Sequence, residues 1–190
     1  YLAGERKKET IAVENGVRLK LHLEKVYYSP RQATERQRII SQVKKGEKIL
    51  VMFSGIGPYA IEIAKHTKAK EVVGVELNEI ACEYAVANAA LNKVNVVFHC
   101  GDVRKTVSKL GKFDRILMPL PKGAEEFLET AFSAAKKGTI IHFYDFEHEE
   151  DIPEKAVEKV KVKKVRILRV VKCGQLGVRQ YRVCVDCKVL

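Results

Sequence analysis

From Lys48 onward, apolar runs of strand length alternate with amphipathic stretches of helical length, and few folds satisfy that rhythm. Strands that all restart after a helix must run in the same direction, with their crossover helices packed on the faces of one sheet. The spacing predicts strands over 48–53, 71–76, 95–99, 113–118 and 138–144, with helices near 58–67, 79–92, 103–110, 122–136 and 151–159. Two more β-type runs, 163–172 and 179–189, flank a loop holding Gly174 and Gly177 and read as a closing antiparallel hairpin. The expected fold is α/β, a doubly wound and mostly parallel sheet.

Residues 9–23 alternate apolar and polar around Asn15-Gly16, the pair that a type I′ hairpin turn prefers. After Tyr27-Tyr28-Ser29-Pro30-Arg31, Thr34 and the residues up to Val43 place Ile39, Ile40 and Val43 at helical spacing. We therefore divide the chain into a hairpin and connecting segment, 1–32, and a main domain, 33–190. A length of 190 residues accommodates one sizeable core. The first residue is Tyr1 and a charged stretch follows, so the expectation is a piece of a longer protein with a domain upstream.

Charge narrows the choice of partner. The net charge of +11 favours a polyanion, through phosphate contacts and counterion release, although lysines such as Lys44 and Lys45 also serve simply to solvate a surface. No apolar run approaches bilayer length, which excludes a membrane-spanning helix. Five cysteines cannot all pair with one another, so a reducing compartment, the cytoplasm by default, is expected. Cys184 and Cys187 are three apart in a β-type run and so face opposite ways; no metal site is expected.

Chemistry collects at the ends of the predicted strands. The first opens into Phe53-Ser54-Gly55-Ile56-Gly57-Pro58, where two glycines let the backbone approach a ligand at a helix N-terminus; a tight turn alone would also need them. The second ends in Glu76-Leu77, 19 residues beyond Gly57, the place for a carboxylate that binds ribose hydroxyls, or simply for an acid that starts a helix. The third ends in Gly101-Asp102-Val103, where Asp102 either meets a ligand or caps the next helix. The fourth leaves the sheet through Pro119-Leu120-Pro121, a rigid exit at the ligand-binding edge. Five alternating units closed by a hairpin resemble the seven-stranded, Rossmann-like class I methyltransferase sheet, in which such loops hold S-adenosyl-L-methionine and an acid after the third strand meets the adenine.

A more specific likeness covers nearly the whole chain. Asn15-Gly16-Val17-Arg18-Leu19-Lys20-Leu21, Val26-Tyr27-Tyr28-Ser29-Pro30-Arg31, Ala33-Thr34-Glu35-Arg36, Phe53 to Pro58, Gly101-Asp102-Val103-Arg104 and Ile141-His142-Phe143-Tyr144 resemble the tRNA (guanine-37 N1)-methyltransferase family, particularly its archaeal branch. That resemblance implies methyl transfer from S-adenosyl-L-methionine to N1 of guanosine 37 beside the anticodon, with the tRNA anticodon loop as partner. It implies Glu35 as general base, Arg31 as a group holding cofactor or substrate, and Pro119 at the target base. The cofactor would contact Arg31, Phe53, Ser54, Gly55, Gly57, Pro58, Glu76, Leu77, Asp102 and Val103. Read without the resemblance, Arg31 and Glu35 four apart at a helix start form an ordinary surface ion pair. Oligomeric state is left open, with a monomer as the simplest expectation.

Two positions depart from the family pattern. Val51 stands where an aspartate is usual, and Pro119 where an asparagine is usual, removing an amide able to contact a guanine edge. Some archaeal members methylate a tricyclic wyosine precursor, so a changed base loop also fits a changed or widened base preference. The competing readings are a methyltransferase for another substrate, a non-catalytic RNA-binding relative, and a nicotinamide-linked oxidoreductase. Methyl transfer to tRNA, calorimetry with S-adenosyl-L-methionine and NADH titration separate them. His142, Tyr144, Tyr27 and Tyr28 suit either base stacking or half-buried sheet positions.

Overall fold

Asn15 and Gly16 take left-handed φ values of 46° and 76°, and this turn folds β1 (Glu9–Glu14) onto β2 (Val17–His22). The computed structural model describes residues 7–120, 122–161 and 163–190; Pro121 of the predicted exit loop lies outside the described residues. The hairpin does not join the main sheet. Val17, Leu19 and Leu21 instead bury one face of β2 against Ile56, Ile61 and Ala81.

The other elements of the molecule are β3 (Lys48–Met52), β4 (Glu71–Glu76), β5 (Val97–Cys100), β6 (Phe113–Met118), β7 (Ala135–His148), β8 (Val165–Gly177) and β9 (Gln180–Val189). The helices are α1 (Ala33–Ile40), α2 (Pro58–His66), α3 (Glu79–Leu91), α4 (Val103–Thr106), α5 (Leu128–Ser133) and α6 (Glu154–Val160). Asn88 and Asn92, one turn apart on α3, stand in for a neighbouring strand to β2. Each amide accepts from a backbone N–H of β2 and donates back to the same residue's carbonyl, Asn88 with Lys20 and Asn92 with Arg18, at 2.7 to 3.0 Å. An edge strand with satisfied backbone groups needs no second strand.

The seven-stranded sheet has the order β5-β4-β3-β6-β7-β9-β8. Strands β3 to β7 are mutually parallel, while β9 runs antiparallel to both β7 and β8. After β3 the chain first moves outward to β4 and β5, then returns to the other side of β3 for β6. That reversal leaves a crevice at the carboxyl ends of β3 and β6. Continuous apolar runs such as Ile49 to Met52 are buried because both sheet faces are covered. Leu50, Met52, Ile116, Met118 and Phe143 face one layer, and Val51, Leu117 and Tyr144 face the layer of α1 and α2.

Among the expected boundaries, three shifts stand out. The helix foreseen at 122–136 becomes a 3-10 turn, Ala124–Phe127, followed by the short α5. The reason is that β7 starts early at Ala135: Gly138, at φ 92°, absorbs an irregularity while Thr139 Oγ1 donates to the Phe113 carbonyl at 2.6 Å. The loop foreseen around Gly174 and Gly177 is strand, with both glycines at register shifts within β8, and Arg179 at φ 54° helps make the turn. The predicted helix at 103–110 is α4 continued by a 3-10 turn, Val107–Lys109. No helix among the described residues is long and apolar enough to cross a membrane.

Candidate active site

Strand β3 reaches its carboxyl end under tension. Phe53, Gly55 and Gly57 all adopt left-handed φ values, 55°, 54° and 88°. Phe53, as a non-glycine residue, stores backbone strain of a kind that accumulates where geometry serves a ligand. Gly57 has a steric reason as well: a Cβ there would sit 2.9 Å from the Phe98 ring. The loop then delivers Pro58 as the first residue of α2.

Glu76, at the end of β4, fastens this loop. Its Oε2 accepts from the Gly55 N–H and its Oε1 from the Asn78 N–H, each at 2.8 Å. A carboxylate offers about four acceptor sites, so roughly half of its capacity stays available. Asp102 caps α4 by accepting from the Arg104 N–H at 2.8 Å and also lines the cleft, so its two foreseen roles are compatible.

These loops enclose a cleft of about 400 Å³ at the ends of β3, β4, β5 and β6. Of the residues foreseen there, Phe53, Gly55, Glu76, Leu77, Asp102, Val103 and Pro119 line it. Tyr27, Asn78, Ala81, Arg104, Leu120 and Phe127 line it too. Phe127 meets the edge of Phe53 at a centroid distance of 4.9 Å, and the Arg104 guanidinium stacks 4.2 Å over Phe127. Nothing in the local sequence marks Phe127, whose partner is 74 residues away.

Four foreseen contacts fall elsewhere. Ser54 is buried with its hydroxyl unpartnered among the described residues, and Gly57 and Pro58 are outside the cleft lining, at the start of α2. Arg31 is exposed, and it is not the ion partner of Glu35. That partner is Arg38: its Nε and Nη2 donate to the two oxygens of Glu35, each at 2.7 Å. The Arg31–Glu35 surface pair is therefore replaced by a buried one, because α1 turns Glu35 inward beside Ile39.

Glu35 continues into the sheet. Tyr144 Oη donates to Glu35 Oε1 at 2.6 Å, and burial above all keeps that phenol protonated. Arg38 also donates to Asp186, which accepts from His142 Nδ1 at 2.6 Å. Since Arg115 Nη1 donates to His142 Nε2 at 2.7 Å, the imidazole proton resides on Nδ1. Burial lowers the His142 pKa, so the ring is neutral. Burial acts to raise Asp186, but His142 and Arg38 prevail and hold its carboxyl well below the usual carboxylate range. His142, Cys184 and Asp186 cluster within 4.8 Å, with Arg38 and Arg115 already supplying the positive charge beside them. Neither His142 nor Tyr144 is half-buried; both are fully enclosed and unable to stack on a base from where they stand.

A second linkage returns to the cleft. Arg182 on β9 holds its guanidinium 4.5 Å over the Tyr144 ring and donates from Nη2 to the Pro119 carbonyl at 3.3 Å. The sequence carried a signal for it: Arg182, Cys184 and Asp186 alternate on one face of an inner strand, where polar residues are unusual. Val51 sits in the same layer as Tyr144 and Cys184.

A doubly wound sheet with a glycine loop, an acid after each of the next two strands and a proline exit beside them defines a Rossmann-like methyltransferase domain. A profile of the TRM5/TYW2 methyltransferase domain matches residues 10–171. The chain belongs to that family. It is 42% identical over 201 residues to the tRNA (guanine(37)-N(1))-methyltransferase Trm5b of Pyrococcus abyssi, covering 100% of this chain and 58% of the relative. The crystal structure of that relative superposes with a TM-score of 0.91 at 41% identity, over 98% of this chain and 57% of the other. Nanoarchaeum equitans has a similar protein, the tRNA (guanine(37)-N(1))/4-demethylwyosine(37)-methyltransferase Taw22, 36% identical over 96% of this chain and 80% of its own length. The structure of M. jannaschii TYW2 in complex with AdoMet aligns with a TM-score of 0.90 at 28% identity, over 99% of this chain and 89% of the other. The chain thus spans a little over half the length of the Pyrococcus relative.

Proposed function

We propose that this protein transfers a methyl group from S-adenosyl-L-methionine to N1 of guanosine 37 in the anticodon loop of tRNA, acting in the cytoplasm as a monomer. The observation that carries this reading is the cleft at the ends of β3 to β6, whose lining residue Pro119 is linked through the buried Arg182 and Tyr144 to Glu35, itself buried and outside the lining. Family membership supplies the chemistry that the cleft fits.

The cleft volume and the donors around it suit the cofactor. Glu76, with acceptor capacity left over, would take the ribose hydroxyls; Asp102 would take the adenine amino group, and Leu77 and Val103 its ring faces. The glycine loop from Phe53 to Gly57 would carry the methionine end, with Ser54, Gly57 and Pro58 shaping it from behind. Bound S-adenosyl-L-methionine supplies an electrophilic methyl on a sulfonium and departs as a neutral thioether.

Guanine N1 carries a proton at neutral pH and attacks poorly until that proton leaves. Glu35 is the base in this proposal: three of its roughly four acceptor sites are taken by Arg38 and Tyr144, leaving one on Oε2 for the N1 proton. Arg38 and Tyr144 fix its orientation. The N1 lone pair then forms the new bond to the methyl carbon as the carbon–sulfur bond breaks in line. Arg31, exposed and cationic at the start of α1, would meet the RNA backbone or the cofactor carboxylate.

A second target, a tricyclic wyosine precursor, is favoured by Pro119, which replaces the edge-reading amide, and by the similarity to the Nanoarchaeum protein. The decisive experiment is labelled methyl transfer to unmodified tRNA followed by nucleoside analysis, comparing wild type with Glu35→Gln. We expect 1-methylguanosine from wild type and a turnover drop of at least about 100-fold in the variant. Labelled protein or metabolites in place of tRNA would discard the reading, and undiminished turnover by the variant would remove Glu35 as base.

A further inference from the structure

Cys82 and Cys100 come together at the carboxyl ends of β4 and β5, outside the cleft lining. The main chain of Glu76 brings them there. Cys82, in the first turn of α3, donates from Sγ to the Glu76 carbonyl at 3.3 Å. Cys100, the last residue of β5, is the register partner of Glu76, and the next residue, Gly101, donates its N–H to that same carbonyl at 2.7 Å. The two thiols are left in hydrogen-bonding contact with each other. Both also line one surface groove, together with Phe98 and Val86, so a small reagent reaches them without entering the cleft.

The two sulfurs differ in readiness to react. Cys100 is exposed and Cys82 is buried. Burial first and the Cys100 thiol second push Cys82 up to about 12, which keeps it protonated, so Cys100 is the thiol that meets an oxidant. The other cysteines cannot compete for either partner: Cys173, Cys184 and Cys187 lie on β8 and β9, at the opposite edge of the sheet from β5.

We infer that Cys82 and Cys100 form a redox modification site, which hydrogen peroxide converts to a disulfide that loosens the cofactor cleft. The Cys100 thiolate attacks one peroxide oxygen and the O–O bond breaks. Cys100 becomes a sulfenic acid, and the other oxygen leaves as water with the proton that Cys100 had lost. The Cys82 sulfur then attacks the Cys100 sulfur; the S–S bond forms as the S–O bond breaks, and the hydroxyl leaves as water with the Cys82 proton. The two thiols give up two electrons and the peroxide takes both. A disulfide holds its sulfurs about 2 Å apart, so Cys82 must leave the Glu76 carbonyl and draw the first turn of α3 towards the end of β5. Ala81 and Asp102, next to these elements' cysteines, and Glu76 between them all line the cleft. That the cleft holds S-adenosyl-L-methionine rests on the methyltransferase reading; the crosslink itself does not. In a reducing compartment the bond is transient, and thiol exchange restores the cleft.

The test treats the full-length protein, freed of reductant, with hydrogen peroxide, beside Cys100→Ser and Cys82→Ser. Mass mapping of peptides after blocking of free thiols reads the crosslink. Calorimetry reads S-adenosyl-L-methionine affinity before oxidation, after it and after addition of dithiothreitol. We expect a Cys82–Cys100 crosslinked peptide in wild type alone, affinity weakened by about tenfold on oxidation, as for loss of one charge-assisted contact, and full recovery with reductant. Cys100→Ser, altered only at an exposed position, should bind cofactor like reduced wild type and keep that affinity in peroxide. Cys82→Ser should stop at the sulfenic acid, which dimedone labels at Cys100. Oxidation of Cys100 to the sulfinic acid with no crosslink, or two thiols left free, overturns the assignment. A crosslink at unchanged affinity overturns its coupling to the cleft. If reduced wild type binds no S-adenosyl-L-methionine, the functional reading falls before any oxidant is added, and mass mapping alone then decides the crosslink.

Discussion

Tyr144 Oη donates to Glu35 Oε1 at 2.6 Å across 109 positions of sequence, joining the centre of the sheet to the helix that covers it. Tyr144→Phe removes that donor and leaves Arg38 as the carboxylate's remaining partner. Tyr59 Oη, which donates to Tyr144 Oη at 3.3 Å, loses its acceptor as well, so we expect a stability loss of about 1–3 kcal/mol in denaturant unfolding. Methyl transfer should slow by about tenfold or more at unchanged cofactor affinity, because Glu35 loses its fixed orientation. Full turnover would show that Tyr144 is needed only for packing.

Glu76 bridges the N–H groups of Gly55 and Asn78, so it shapes the cleft even before any ligand arrives. In Glu76→Gln one acceptor oxygen becomes a donor, and one of the two bridges breaks. Calorimetry should give S-adenosyl-L-methionine affinity weakened by about tenfold or more, since bonds to charged acceptors are worth about 1.5–3 kcal/mol. Undiminished affinity would relocate the ribose site.

Gly57 combines a φ of 88° with a Phe98 ring that leaves no room for a methyl group. Gly57→Ala should therefore destabilise the fold by about 1–3 kcal/mol, through strain and overpacking together. Thermal unfolding measures the first effect. Cofactor titration should show a parallel loss, because the same loop borders the cleft; unaltered behaviour in both assays would contradict the packing argument.

Glu62 on α2 is pushed up to about 8 from the ordinary 4.5, by burial first and by the neighbouring Glu14 second. Asn15 and Arg36 also face it and act in the opposite direction. Between pH 4.5 and 8 the folded protein holds this proton while the unfolded chain has released it, so the contribution of Glu62 to stability falls as pH rises through that window. Glu62→Gln, which imitates the protonated acid, should flatten the decline, which amounts to at most about 1.4 kcal/mol per pH unit, and should be the more stable protein at pH 8. Denaturant unfolding of both proteins at pH 5, 6.5 and 8 measures the slopes. Identical slopes would mean that Glu62 is ionised throughout.

Sequence by itself determined the parallel sheet, the opening hairpin and the three loops that bear glycine or acid. Each is encoded within a few neighbouring residues: the apolar runs of β3 and β4, Asn15-Gly16, the strained turn at Phe53 to Gly57. Glu76 and Asp102 were legible for the same reason, because a strand end followed by a helix start fixes where such a side chain goes. Glu35 was singled out only by family likeness, and its surroundings were not legible. Its partners Arg38 and Tyr144 come from α1 and β7, and only the packing of that helix against that strand turned the carboxylate inward. Phe127 against Phe53 and Arg182 against Pro119 are likewise contacts between distant segments. Local propensity carries no record of them; they exist because burying both faces of the sheet forces those side chains to the same edge.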